Sequence, residues 1–303
     1  MNAMNGKNHN RKNRFWNLAL FGLLPLLVAA CEDPAPTDYI PQNVVTAYLI
    51  VDQPIRGIVV ARSQAVADSF KYSNSVIRDA DVRIIEGANT YRLQYRTDCN
   101  NIGEYYLPDT TILVQPEKSY RMEIALSDGG RITGQTVTPA RVAWVKPPRA
   151  LLQYPADTAN LPSPDSLSFE WTAVPKTREY IISVSCVDSL EYGRYLTPAT
   201  EEKNRRTSSV INQNARRRYN ETTRWAFVQT SKLPLVWFAY KWYGLHDLTV
   251  YAPDPNMVEW FKQTRFGPNE FNALLSTVEG DGIGVFGSAS VVGQRQFLLK
   301  NQP

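Results

Sequence analysis

The chain has 303 residues, 33 of them basic and 29 acidic. Four of the basic residues, Lys7, Arg11, Lys12 and Arg14, lie in the first thirty positions, which hold no acid; taking four from 33 leaves 29 basic residues against 29 acidic ones downstream. A neutral body argues against nucleic acid as a partner, because such proteins displace counterions with a positive field, while a hydrophobic share of 43% suffices for a packed core.

The N-terminus comes first in chain order. A basic stretch precedes an uncharged apolar run from Phe15 to Ala30 that ends in small residues, the pattern of a secretory signal over residues 1–30. The run is shorter than the roughly 20 residues of a spanning helix, and Pro25 interrupts it by removing an amide donor. Leu27-Val28-Ala29-Ala30-Cys31 resembles a bacterial lipobox, which implies that Cys31 is acylated and becomes the new N-terminus. Acyl chains, at about 0.8 kcal/mol per buried methylene, then supply the membrane attachment. Glu32 and Asp33 resemble the surface-export signal of Bacteroidota lipoproteins, which implies an outer-membrane protein facing the outside. The other reading is a solvated linker, since Pro34, Ala35 and Pro36 follow and the segment 31–42 has linker composition.

The body reads as all-β. Val44 to Val51 is a continuous apolar strand expected to be buried on both faces. Strands follow at Gly57–Arg62 and Asp81–Glu86. Thr90–Arg96 alternates, with Tyr91, Leu93 and Tyr95 on one side. Ser119–Ser127 turns inward Tyr120, Met122, Ile124 and Leu126, and Asp128-Gly129-Gly130 reverses the chain into Arg131–Thr138. This density of short strands predicts a β-sandwich domain over 43–140. Pro139, Pro147 and Pro148 mark a boundary, and 141–303 is expected to form a second sandwich domain. In it Leu167–Trp171, a short turn and Tyr180–Val184 resemble the first hairpin of a fibronectin type III module, within the wider immunoglobulin-like class. Residues 191–223, which carry Arg216, Arg217 and Arg218, read as a long polar insertion. Strands resume at Trp225–Thr230, Leu235–Trp242 and Leu245–Tyr251. A helix is predicted at about 255–266: Asp254 can cap it, Pro255 suits the first position and Gly267 the exit. Met257, Trp260, Phe261 and Thr264 fall on one of its faces. Ile283–Val292 and Gln294–Leu299 are expected to close the fold as a hairpin about Gly293.

Little in the chain points to catalysis. Once the leader is removed, His246 is the single histidine; it reads as a surface or turn residue with no nucleophile elbow beside it. One histidine with Cys99 and Cys186 does not make a zinc site. No phosphate loop or calcium loop is present, and no cofactor is expected. Cys186 shares the inward face of Tyr180, Ile182 and Val184, whereas Cys99 lies in a polar turn; a bridge between them is permitted in an oxidising compartment, with two thiols as the default. A pair of acids suited to glycoside hydrolysis stays open, since spacing in space is not readable. Trp237, Tyr240 and Trp242, with Phe238 and Tyr243, form an aromatic cluster. Exposed, it would stack on sugar rings or a partner; buried, it is core. Arg216, Arg217 and Arg218 would meet phosphates or an acidic partner, or remain a solvated loop.

The layout as a whole resembles an uncharacterised Bacteroidota lipoprotein family, domain-of-unknown-function family 4249. The resemblance rests on the lipobox and linker, the apolar strand Val45–Val51, Ala80-Asp81-Val82-Arg83-Ile84, Gly103-Glu104-Tyr105-Tyr106, Ser119-Tyr120-Arg121-Met122-Glu123-Ile124 with its Asp128-Gly129 turn, and Gly282-Ile283-Gly284-Val285-Phe286-Gly287. It implies an accessory part of a TonB-dependent outer-membrane uptake system, non-catalytic, with a small-molecule or glycan ligand left open. The family defines no catalytic residues to carry over. A structural or adhesion lipoprotein is the alternative, and a secreted glycoside hydrolase a further one.

Overall fold

A computed structural model describes residues 39–65, 72–97, 103–154, 165–187, 223–240, 242–266 and 275–299. The leader, Cys31, Glu32, Asp33, Cys99 and Arg216, Arg217 and Arg218 lie outside the described residues. In chain order the strands are β1 (Asn43–Ile50), β2 (Val59–Arg62), β3 (Asp81–Glu86), β4 (Asn89–Arg92), β5 (Gln94–Thr97), β6 (Gly103–Tyr106), β7 (Ser119–Ala125) and β8 (Arg131–Val137). There follow β9 (Trp144–Lys146), β10 (Leu151–Gln153), β11 (Phe169–Trp171), β12 (Tyr180–Cys186), β13 (Thr223–Val228), β14 (Lys232–Leu233), β15 (Gly244–Pro253), helix α1 (Pro255–Phe266), β16 (Val278–Gly280) and β17 (Ile283–Leu299). The fold is mainly β, as its alternating apolar segments require.

One sheet organises the rest. Its order is β13-β12-β15-β17-β1-β2, with β10 also paired to β17. β17 runs unbroken for 17 residues. Its first half pairs in parallel with β1, from Val44 opposite Ile283 to Ile50 opposite Ala289. Its second half pairs antiparallel with β15, from Ala289 to Leu298. β10 joins in parallel at Phe297–Leu299, on the edge away from β15. The hairpin expected about Gly293 is therefore corrected. Gly293 faces Thr249 in the middle of the β15 ladder, and a continuous partner strand satisfies the backbone groups that a turn would have left unpaired.

Two cores lie on the same side of β17. Phe286 enters the first, with Val45, Ala47 and Leu49 of β1 and Ile84, Met122 and Ile132 of the opposing sheet β16-β8-β7-β3-β4. Leu298 and Val292 enter the second, with Trp171, Ile182, Leu248 and Val250, closed by the small sheet β14-β11-β9. Between them, two residues apart and hence on the same side, Ser288 and Ser290 are buried and polar. Ser290 Oγ accepts the Val142 amide at 2.9 Å. Ser288 Oγ lies 2.8 Å from Thr136 Oγ1, which donates to Asp254 Oδ2 at 2.6 Å. The stretches expected as two sandwiches thus supply two cores, joined through a shared strand within one compact unit, Gln42–Gln64 with Lys71–Pro303. Of the other unit, Met1–Pro41 with Ala65–Phe70, only 39–41 and 65 are described.

Several local expectations change. β1 is not buried on both faces: Val45, Ala47 and Leu49 are sealed, while Thr46, Tyr48 and Ile50 are half-buried. The strand expected at Thr90–Arg96 divides at Leu93, whose amide donates to Val82 O at 2.9 Å; β4 stays in the larger sheet and β5 pairs with β6. β11 and β12 are not hairpin partners but lie in opposing sheets. Their residues Trp171 and Tyr180 meet edge to face across the core at 5.3 Å, as aromatic quadrupoles favour. Leu235–Trp242 is a short 3-10 turn over Trp237–Ala239 instead of a strand.

The start of the helix matches its sequence signals, and Gly267, expected at its exit, lies outside the described residues. Asp254 Oδ1 accepts the Met257 amide at 2.9 Å and the Ser288 amide at 3.1 Å. One carboxylate therefore caps α1 and ties it to β17, satisfying a donor the helix start would otherwise leave unmet. Gly287 permits the close seating: a Cβ there would stand 2.9 Å from the Met257 nitrogen.

Candidate functional site

On the side of β1 and β17 away from the two cores lies an open groove of about 760 Å³, within the range of roughly 300–1,000 Å³ usual for ligand sites. Strand alternation builds its floor: with Val45, Ala47 and Leu49 committed to the core, Thr46, Tyr48 and Ile50 must face the other way. Helix α1 forms a wall with Met257, Trp260, Phe261 and Thr264, the face its spacing predicts. Trp225 of β13 and Tyr251 of β15 continue the wall. Trp225 packs 4.8 Å from Phe261 and 6.0 Å from Tyr251, ring centre to ring centre. Tyr48, Trp225, Tyr251 and Phe261 are all only half-buried, so aromatic surface remains open to the groove. Burial pushes the Tyr251 hydroxyl pKa above its ordinary value, offset in part by a hydrogen bond with Ser183.

The rim is charged. Arg96 and Glu104 face each other across the β5–β6 pair. Arg96 Nε donates to Glu104 Oε1 at 2.7 Å and its Nη2 binds the same oxygen. The Arg96 guanidinium also lies 4.2 Å from the Tyr106 ring centre, a cation–π contact. Arg56 stands on the turn after β1, exposed, beside Gly57, whose positive φ of 75° suits glycine. Arg96 and Glu104 neutralise each other, which among the described residues leaves Arg56 as the net charge of the rim. Among the described residues lining the groove, Glu104 is the single carboxylate, so these residues hold no acid pair of the kind glycoside hydrolysis uses.

The aromatic cluster singled out from the sequence lies elsewhere. Trp237, Tyr240 and Trp242 are buried, and the first two belong to the second core. Tyr240 donates to Gln296 Oε1 at 2.6 Å, and its pKa is raised by burial. These residues are core, and the half-buried aromatic surface belongs to Tyr48, Trp225, Tyr251 and Phe261. His246 is likewise corrected: it is 1% exposed as the third residue of β15, with Nδ1 2.9 Å from Gly244 O and its ring 5.2 Å from that of Tyr240. Cys186, its partner across β12, is buried as expected. A smaller apolar pocket of about 370 Å³ opens between Ile182, Val184, Leu235 and Leu248.

Sequence reasoning found the helix face of the groove and missed Tyr48, Arg56, Trp225 and Tyr251. The β1 alternation was the available signal for Tyr48; nothing local marks the other three, which meet through sheet order. Among the described residues no group of three or more His, Cys, Asp or Glu side chains is placed to hold a metal ion. Among them, too, no helix is long and apolar enough to cross a membrane.

Residues 33–295 match the family described as Domain of unknown function (DUF4249), and the chain belongs to that family. No curated protein matches. Among the solved structures that align, three do so at very low similarity. A structure titled DIP-gamma IG1+IG2 has 6% identity and a TM-score of 0.20, over 88% of this chain and 99% of that one. A bacterial ice-binding adhesin has 7% identity and a TM-score of 0.22, over 88% and 66%. Cadherin domains 1–5 of protocadherin gamma B2 have 10% identity and a TM-score of 0.16, over 89% and 41%.

Proposed function

We propose that this DUF4249 protein is a lipid-anchored outer-membrane protein facing the cell exterior, and that it serves as a non-catalytic binding and accessory module of a TonB-dependent uptake system. The observation that carries the binding role is the groove: half-buried aromatic side chains over a rigid sheet, closed on one side by a capped helix and rimmed by few charges. Such a concave, mostly apolar site with a small number of polar groups is the usual form of a ligand pocket. The anchor is supported by the leader, the small residues before Cys31 and the acidic pair Glu32 and Asp33. The transporter partnership is supported by the family resemblance.

Affinity purification of the acylated protein from gently solubilised native outer membrane, with mass spectrometry of its companions, tests the reading. A near-stoichiometric transporter barrel is expected. Recovery of the protein alone would sink the accessory role in favour of a structural or adhesion one. Cys31→Ala should move the protein from the membrane to the soluble fraction; persistent integral behaviour would refute the lipid anchor.

A further inference from the structure

The groove has a chemical bias that narrows its ligand. Its floor and walls offer ring surface from Tyr48, Trp225, Tyr251 and Phe261, and the charged residues among its lining, Arg56, Arg96 and Glu104, stand at the rim. There the charges are unequal. Arg96 is engaged twice, by the Glu104 carboxylate and by the Tyr106 ring. Both hydrogen bonds from Arg96 to Glu104 fall on Oε1. Arg56 lines the same groove, and among the described residues it makes no hydrogen bond or ion pair. An exposed arginine is well solvated by water, so its lack of a partner costs little by itself. What matters is its position: a cation at the mouth of an aromatic-walled groove meets whatever enters, and a guanidinium pairs with a carboxylate or phosphate in a two-pronged geometry. A neutral apolar guest would gain from the rings alone. An anion without an apolar body would gain from Arg56 alone, in water, where such pairs are weak.

We infer that the groove binds a small amphipathic anion, its flat apolar body lying between Tyr48 of β1 and the Trp225–Phe261 wall and its single acidic group against Arg56. This names the ligand class of the site proposed above and rests on that site being a binding groove, not on the anchor or the transporter.

The test is calorimetric titration of the acylated full chain in detergent with sodium 2-naphthoate and, separately, uncharged 2-naphthamide, each against detergent alone. The expected result is saturable, single-site binding of naphthoate, about tenfold tighter than naphthamide, as one charge-assisted hydrogen-bonding group allows. Arg56→Gln should bring naphthoate down to the level of naphthamide. Thr46→Trp, which fills the floor, should remove both. Arg56 is exposed and outside the core, so its variant keeps the test valid if the Trp variant misfolds. Absence of saturable heat from naphthoate, equal affinity for the two probes, or an Arg56→Gln variant that binds naphthoate normally would each overturn the inference. Failure here with a transporter still co-purifying would remove the groove ligand and leave the accessory role; the reverse result would do the opposite.

Discussion

The two faces of the sheet around β1 and β17 differ in how they are finished. One is sealed: Val45, Ala47, Leu49 and Phe286 are at most 1% exposed and packed against a second sheet. The other is left half open, with Tyr48, Ile50, Trp225 and Tyr251 covered only in part by α1. Large aromatic side chains on the first face would be ordinary core; on the second they are solvent-accessible surface that the fold could have covered and did not. On the proposed reading, stability and binding lie on opposite sides of the same strands, and substitutions on the two sides should separate them.

The largest effect is expected where the sealed face depends on backbone approach. Gly284 has φ of 139°, and a Cβ there would lie 1.9 Å from Val45 O. Gly284→Ala must push β1 off β17, at a cost of about 4 kcal/mol or more. Denaturant unfolding followed by circular dichroism measures it, and a shift under about 1 kcal/mol would contradict the register described here. The glycine-rich segment Gly282–Gly287 therefore serves strand and helix packing.

An intermediate effect is expected at Asp254, which joins the faces by capping α1 while bonding Thr136 and Ser288. Asp254→Ala should cost about 2 kcal/mol, from the lost cap and from buried donors left unmet. Burial raises the Asp254 pKa above its ordinary value of 3.8, against hydrogen bonds from Thr136, Met257 and Ser288 that lower it. The folded state therefore holds this proton more tightly than the unfolded one. Its contribution is fully present below pH 3.8 and is lost as pH rises through the raised value. The exposed Asp52 and the half-buried Asp81, held low by side-chain hydrogen bonds from Arg141 and Arg83, act in the opposite sense as pH falls. Asp254→Asn isolates the first effect: stability of the parent relative to this variant should decline with rising pH above 3.8. A flat difference would show that the carboxyl titrates normally.

The smallest stability change is expected on the open face. Tyr48→Ala should cost about 1 kcal/mol in denaturant titrations, because the ring is half exposed, yet abolish naphthoate binding. Stability loss comparable to that of Gly284→Ala would erase the distinction between the faces.

What the sequence disclosed follows the same division. Segments whose partners are near in sequence were legible. The β7–β8 pair with its Asp128-Gly129 turn and the β3 strand were read nearly to the residue, and so was α1 with its Asp254 cap, because alternation, turn residues and capping are local. The bridging role of β17 was not legible. Gly293 in an apolar run has the composition of a turn, and only the long-range partner β15 decides otherwise. The groove was half legible for the same reason: Met257, Trp260, Phe261 and Thr264 announce a face, whereas Tyr48, Arg56, Trp225 and Tyr251 come together only through sheet order. Trp237, Tyr240 and Trp242 drew notice by being clustered, and clustering is equally the signature of a core.

The parallel pairing of β1 with β17 also has a mechanical meaning. A tether entering at Asn43 would pull β1 along its own axis, and a load carried through the second core would be taken up at the far end of β17. The strands are then drawn in opposite directions, and the ladder from Val44 to Ile50 is strained all at once rather than opened rung by rung. A protein held by its N-terminal end against flow or against the pull of a moving partner would meet that force in its most resistant direction.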